Sequence, residues 1–459
     1  MTQNTTVTAD TNAPAVTRIL ADFVSKFESG AFPRAVEHEA RRTLLNWLGC
    51  AIGASRHATL ETALAAVHEL EPSTQSSVLG RRDRVDMASA ALLNGISSHT
   101  FDFDDTHLKT IIHPAGPVAS AALALAEHIG SPGRQFIDAL VLGVDVACRV
   151  GNMVYPEHYD RGWHITGSTG MLGAAAACAR LLALDPDRTT MALGIAASQP
   201  VGVREQFGSM SKPFHPGAAA RAGVTSALMA KHGFTASPRA IEAPRGLAQT
   251  YSTKCTWSEI TDELGQRYEI SFNTYKPFAC GIVIHPSIDG CIRLRAAHAL
   301  LPENVARVDL RVHPLVLELT GKTSPRTGLE SKFSVYHACA AGLVFGRAGE
   351  AEFSDEAVAD PRVLALRERV HAIADRGIDE ASVDVTVVTR DGKRHQLFVE
   401  HAIGSLERPM TDDDLARKFH GLVDPILGGA RADALIASTM VIESAADVRS
   451  LTELARDGQ

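Results

Sequence analysis

Apolar residues along most of this chain recur at three- and four-residue spacing, the mark of helices with a buried face. Over residues 35–51 the set is Val36, Ala40, Leu44, Trp47, Leu48 and Ala51. The same spacing predicts helices over residues 85–96, 115–129, 136–150, 168–182, 189–197 and 218–231. Many of their interior positions are Ala or Gly, small enough for helices to approach closely and to be buried all round. No strand–helix–strand alternation is visible and no G-x-G-x-x-G follows a strand, which argues against a nucleotide-binding sheet.

The texture changes near Thr274. Residues 305–312 place Val308, Leu310 and Val312 on one face and Arg307, Asp309 and Arg311 on the other, a period of two that predicts a half-buried strand. Residues 382–389 and 394–400 flank Asp391-Gly392 and predict a hairpin. Residues 331–345 and 360–374 between these strands read as helical. Thr411 followed by Asp412, Asp413 and Asp414 has the hydroxyl and acids that suit a helix N-terminus, and Pro425 should end that helix. Residues 431–438 and 446–455 are helical again. The expected fold is therefore mainly α. A large all-helical domain is formed by both chain ends (residues 15–272 and 410–459), and a smaller α+β lid domain (residues 273–409) is inserted in it. Residues 1–14 read as a disordered tail.

A length of 459 residues fits two domains better than one core. The charge balance of 45 basic against 53 acidic residues gives −8, which disfavours nucleic acid or an anionic membrane as partner. A local basic pocket for an anionic substrate is still compatible with it. The seven cysteines are scattered without a C-x-x-C pair, as expected for reduced thiols in a cytoplasmic protein. The N-terminus has no signal-peptide pattern, and the apolar runs are too short to span a bilayer.

Candidate chemistry is concentrated in four polar islands. Residues 99–113, H-T-F-D-F-D-D-T-H-L-K-T-I-I-H, hold three aspartates and three histidines, groups suited to proton transfer. Asp102 and Thr106 are four apart and would share a helix face. Pro114 places His113 at a loop–helix junction. Residues 155–170 contain His164 just before an Ala-rich helix that Thr166 or Ser168 could cap, and such an N-terminus suits an anion. Residues 207–217 put Lys212 in a Gly/Ser/Pro loop, and in residues 274–289 Lys276 and His285 flank an apolar run at the expected domain junction. Each island also has a plain structural reading: a capped helix with surface histidines, a core histidine bonded to a carbonyl, an exposed loop lysine, polar edges of a buried segment. No spacing typical of a metal site appears, and His107 and His113 beside the aspartates are the nearest approach to one. No G-x-S-x-G elbow marks a serine hydrolase.

Together F-D-F-D-D-T (101–106), H-P-A-G-P (113–117), R-G-W-H-I-T-G-S-T-G (161–170), G-S-M-S-K-P-F-H-P-G (208–217) and Y-K-P-F-A-C (275–280) resemble the MmgE/PrpD family. Its members include 2-methylcitrate dehydratase, cis-aconitate decarboxylase and iminodisuccinate epimerase. The resemblance implies a homodimer, a site between helical domain and lid, and no obligatory cofactor or metal. It also implies catalytic roles for Asp102, Thr106, His113, His164, Lys212 and Lys276, with Lys212, Lys276, His285 and His337 contacting a small anionic carboxylate. Two positions depart from the decarboxylase pattern: Gly281 stands where a histidine is usual, and His337 where a tyrosine is usual.

The expected reaction is removal of a proton next to a carboxylate. The lysines would neutralise substrate carboxylates, His113 and His164 would exchange protons, and Asp102 with Thr106 would orient them. The two departures favour an epimerase of an aminodicarboxylate such as iminodisuccinate. The alternatives are a hydro-lyase or decarboxylase and, outside enzymes, a helical carboxylate-binding protein.

Overall fold

The computed structural model describes residues 13–70 and 72–457; the expected tail lies almost wholly outside them. The fold is mainly α, 58% helix and 9% strand. Its centre is a group of helices, Met87–Thr100, Ala115–Ile129, Gly133–Val154, Ile165–Leu181 and Ser211–Lys231, packed on one another. Most of their residues are buried, polar ones included. The small residues explain how. A Cβ at Gly95 would stand 2.5 Å from the Gly217 Cα, and one at Gly173 would stand 2.4 Å from the Gly143 carbonyl oxygen. Side chains there would force the helices apart, and with them the loops they carry.

The C-terminal helix Asp412–Leu427 returns to this group and packs on Arg34–Gly53, with Phe419 and Leu422 seated over Gly49 and Gly53. It starts as expected, with Thr411 and Asp414 capping each other. It does not stop before Pro425, which is accommodated in the last turn. The carbonyl that proline leaves without a donor belongs to exposed Gly421, where water can satisfy it. No helix among the described residues is long and apolar enough to cross a membrane.

A four-stranded sheet has the order Val370–Ala374, Val305–Val312, Val383–Thr389, Arg394–Val399. The last three strands are antiparallel, and the first runs parallel to Val305–Val312. This parallel edge corrects the helix expected over residues 360–374. The helix there is Pro361–Arg367, and the chain turns into a short strand three residues later. A helix and a strand so close together blur each other's period. The helix His285–His298 lies on the sheet, Gly290 against Val385, and also packs on Val335–Phe345.

A second pairing matters most for the site. Asp105–His107 pairs antiparallel with Asn273–Tyr275, Thr106 opposite Thr274, joining segments about 170 residues apart in sequence. The Thr274 hydroxyl donates to the Thr106 carbonyl (2.8 Å), and the Asn273 amide donates to the Asp105 carboxylate (2.7 Å).

Candidate active site

The first island is not a helix beyond Thr100. The chain turns at Asp102, which has φ +51°, and becomes a strand at Asp105. Asp102 and Thr106 therefore do not share a helix face. The left-handed turn is uncommon for a residue other than glycine and marks a place where the surroundings hold the backbone. It directs the buried Asp102 carboxylate between two lysines. Its Oδ1 lies 2.8 Å from Lys212 Nζ and 2.5 Å from Lys276 Nζ, which also donates to the Asp102 carbonyl (3.1 Å). Lys276 follows directly on the Asn273–Tyr275 strand, so the short ladder places it beside Asp102. Lys212 is not in a loop but in the first turn of Ser211–Lys231, its ammonium 5.2 and 5.1 Å from the ring centres of Phe207 and Phe333.

Burial works against each of these charges. It would raise the Asp102 carboxyl, but Lys212, Lys276 and the neighbouring imidazoles outweigh it and hold that carboxyl well below its ordinary value. Burial, with repulsion from Lys276, lowers the Lys212 ammonium although Asp102 supports it. Lys276 is raised: Asp102 and Asp104 together outweigh its burial. Lys212 is thus the lysine that gives up its proton more readily.

A cluster of imidazoles adjoins this triad. The His113 and His164 ring centres are 6.4 Å apart, with His99 at 4.8 and 5.6 Å from them. Each Nδ1 is engaged. His99 Nδ1 bonds Asp104 Oδ2 (2.7 Å), His113 Nδ1 lies 2.7 Å from the Asp105 carbonyl and 3.3 Å from the Thr106 hydroxyl, and His164 Nδ1 lies 2.9 Å from His215 Nδ1. Burial pushes His113 down to about 3 and His164 well below its ordinary value, so both are neutral at pH 7. Burial and the charge on Asp104 push Asp105 up to about 7. The His113 backbone N–H donates to Thr166 Oγ1, and Ser168 bonds His158, so neither hydroxyl caps the Ile165–Leu181 helix; His164 occupies the N-cap position itself.

These groups border one cavity of about 440 Å³, counted out to its mouth. One wall is charged and aromatic: Asp102, His113, Tyr159, His164, Phe207, Lys212 and Lys276. The rest of the lining is Ile111, Gly281, Ile282, Val283, Leu319, Thr320 and Phe333, the last stacked on Phe207 with ring centres 5.8 Å apart. Thr106 is buried behind His113 and does not reach the cavity. Two expected substrate contacts are not brought here. His337 donates from Nε2 to the Glu352 carbonyl (2.9 Å) and lies against Phe353, and it does not border the cavity, whereas Phe333, four residues earlier, does. His285 sits edge-on to Phe278 and borders a neighbouring pocket instead. At Gly281 a Cβ would stand 3.2 Å from Thr320 Cγ2, so a side chain there would crowd Thr320, and the missing imidazole leaves an apolar surface. Sequence reasoning also missed His99, Asp104 and His215, although all three stand inside islands it singled out.

Ligand atoms of His99, His113 and His164 come within 4.8 Å of one another, as do those of His99, Asp102 and Asp104. The second set is already engaged by two ammonium groups and an imidazole. The first could receive a divalent ion at neutral nitrogens.

Lys418, from the C-terminal helix, joins the two strands of chain that carry Asp102 and Lys276. Its Nζ donates to the Phe103 carbonyl (2.5 Å), the Lys276 carbonyl (2.9 Å) and Asn46 Oδ1 (2.7 Å). Burial lowers this ammonium to about 8.

The MmgE/PrpD N-terminal domain profile matches residues 18–260, and the MmgE/PrpD C-terminal domain profile matches residues 278–443. The chain belongs to the MmgE/PrpD family. The cis-aconitate decarboxylase-like protein oryM of Aspergillus oryzae is 27% identical, over 98% of this chain and 99% of its own. Human cis-aconitate decarboxylase is 25% identical over 96% and 94%. The 2-methylcitrate dehydratase of Cupriavidus necator is 24% identical over 85% of each chain. These MmgE/PrpD relatives are lyases by name, and their range across the chain takes in both walls of the cavity.

Proposed function

We propose that this chain is a lyase of a small di- or tricarboxylate, with cis-aconitate the first substrate to test. One observation carries the reading: a single cavity presents two ammonium groups on one carboxylate, facing neutral imidazoles. The surplus cation recruits a substrate carboxylate, and the low-dielectric surroundings make that attraction stronger than it would be in water. In a decarboxylation the bond to the departing carboxylate breaks and CO₂ leaves. The electron pair enters the adjoining unsaturated system, and Lys276 and Lys212 stabilise the charge on the remaining carboxylate. The carbon left electron-rich takes a proton from Lys212, the ammonium that burial lowers, and the neutral His113 and His164 border the same cavity and relay its replacement. Asp102 holds the lysines in register, and Thr106 holds His113 from behind. Residues 273–409, in the role of a lid, supply the apolar wall.

The relatives that span nearly the whole chain are decarboxylases, and this moves the reading from the epimerase favoured by Gly281 and His337 to a lyase. The test is NMR of the purified chain with cis-aconitate, 2-methylcitrate and iminodisuccinate in deuterium oxide. CO₂ release or alkene formation from either of the first two supports the proposal. Deuterium entering unconsumed iminodisuccinate, with no change in the other two, replaces it by epimerisation.

A further inference from the structure

The apolar wall does not end at the cavity. Ile111, Ile282 and Val283 border it on one side and a second pocket on the other. That pocket measures about 670 Å³ counted out to its mouth, against about 440 Å³ for the cavity. Leu108, Pro286, Ala381, Ala402 and Ile403 also line it, with His285 and Ser405 its uncharged polar members. No lysine or arginine borders it among the described residues, and its one carboxylate, Glu380, is exposed at the edge. A substrate carboxylate finds no lysine or arginine there and meets Glu380; an alkyl chain loses water. Ile111, at the boundary, has φ +58°. A β-branched side chain is rarely found in that left-handed region, and such strain persists where surroundings fix it, commonly at ligand clamps.

We propose that this second pocket is a substrate subsite: it takes an uncharged alkyl arm, several carbons long, attached to the carboxylate-bearing core held at Lys212 and Lys276. The proposal rests on the carboxylate-lyase reading and deepens it. The arm leaves the cavity past Ile111, Ile282 and Val283, and the charged core stays with the lysines. Selectivity for the arm is then set by residues that take no part in moving protons.

The test has two arms. In the first, calorimetry measures binding of succinate and of its n-alkyl derivatives from methyl to hexyl. Affinity should rise about fourfold per methylene across the first several carbons, the value expected for burying each CH₂. In the second, kcat/KM is compared for 2-methylcitrate and for the analogue with a five-carbon chain in place of the methyl group. The longer substrate should be preferred at least tenfold. Ala402→Phe and, at an exposed position, Ala381→Phe should remove that preference and change the methyl substrate less than twofold, with melting temperatures confirming the fold. Flat affinity across the succinates, or equal loss on both substrates in both variants, overturns the subsite. Rising affinity with no turnover of any carboxylate leaves the subsite standing and defeats the lyase reading. Turnover of short substrates with flat affinity does the reverse.

Discussion

The two walls of the cavity are built on opposite principles. The charged wall comes mainly from the termini and turns of tightly packed helices. Its groups are fixed by partners: Asp102 by two lysines, His113 by a backbone carbonyl, His164 by His215. The other wall takes Gly281, Ile282, Val283, Leu319, Thr320 and Phe333 from the segment 281–333, and none of these six carries a charge. A reaction that only needs carboxylates neutralised and protons moved can be served by the first wall alone. On the proposed lyase reading, the second selects which molecules stay long enough to react. The same charged groups can therefore serve several substrates, and family membership fixes the chemistry more tightly than the substrate.

Three measurements sharpen or break this contrast. The largest effect is expected for Lys276→Ala, which leaves Asp102 paired only with Lys212 and removes the more firmly protonated cation. Turnover should fall by about 10³-fold, the scale seen when a preorganised charge-stabilising group is removed. A variant within tenfold of the parent would show that the charged wall is not where the reaction is promoted. The second concerns pH. Asp105 is raised to about 7 in the folded chain, above its value of about 3.9 when unfolded, so the folded state retains the proton longer. Stability from this group is full below about pH 4 and is lost as pH climbs to about 7. Asp105→Asn removes the loss. The melting temperature of the variant minus that of the parent should become more positive from pH 5 to pH 8, and a constant difference would show that Asp105 is not a buried charge. The smallest effect is expected for Leu319→Ala on the apolar wall, where kcat should stay within about threefold and any change should fall on KM. A loss as deep as that of Lys276→Ala would erase the distinction between the walls.

Much of this was legible in the chain, for identifiable reasons. Long helices announce themselves through period, and Val305–Val312 has the expected strand bounds. The charged wall was readable because its residues stand in dense local islands. The apolar wall was not: Leu319 and Thr320 end the seven-residue helix Pro314–Thr320 and Phe333 stands between two helices, pieces too short to show a period and without chemistry to mark them. Residues 99–113 misled because helical spacing between Asp102 and Thr106 is real in sequence, yet the turn at Asp102 and the ladder to Asn273–Tyr275 overrule it. Long-range pairing of that kind leaves no local trace. His337 and His285 misled for a related reason. Nearness to the site along the chain does not fix which way a ring faces: His337 is held at the Glu352 carbonyl and His285 borders the second pocket.

Lys418 has a consequence for how such a protein can change by inheritance. It takes no part in the proposed proton traffic, yet it fastens the backbone of Phe103, next to Asp102, and of Lys276 itself, from a helix near the other end of the gene. A crossover between two diverged parents anywhere from residue 277 to residue 417 would combine the reactive groups of one with the fastener of the other. Only parents agreeing at that distant ammonium could exchange their apolar walls and yield progeny that still work.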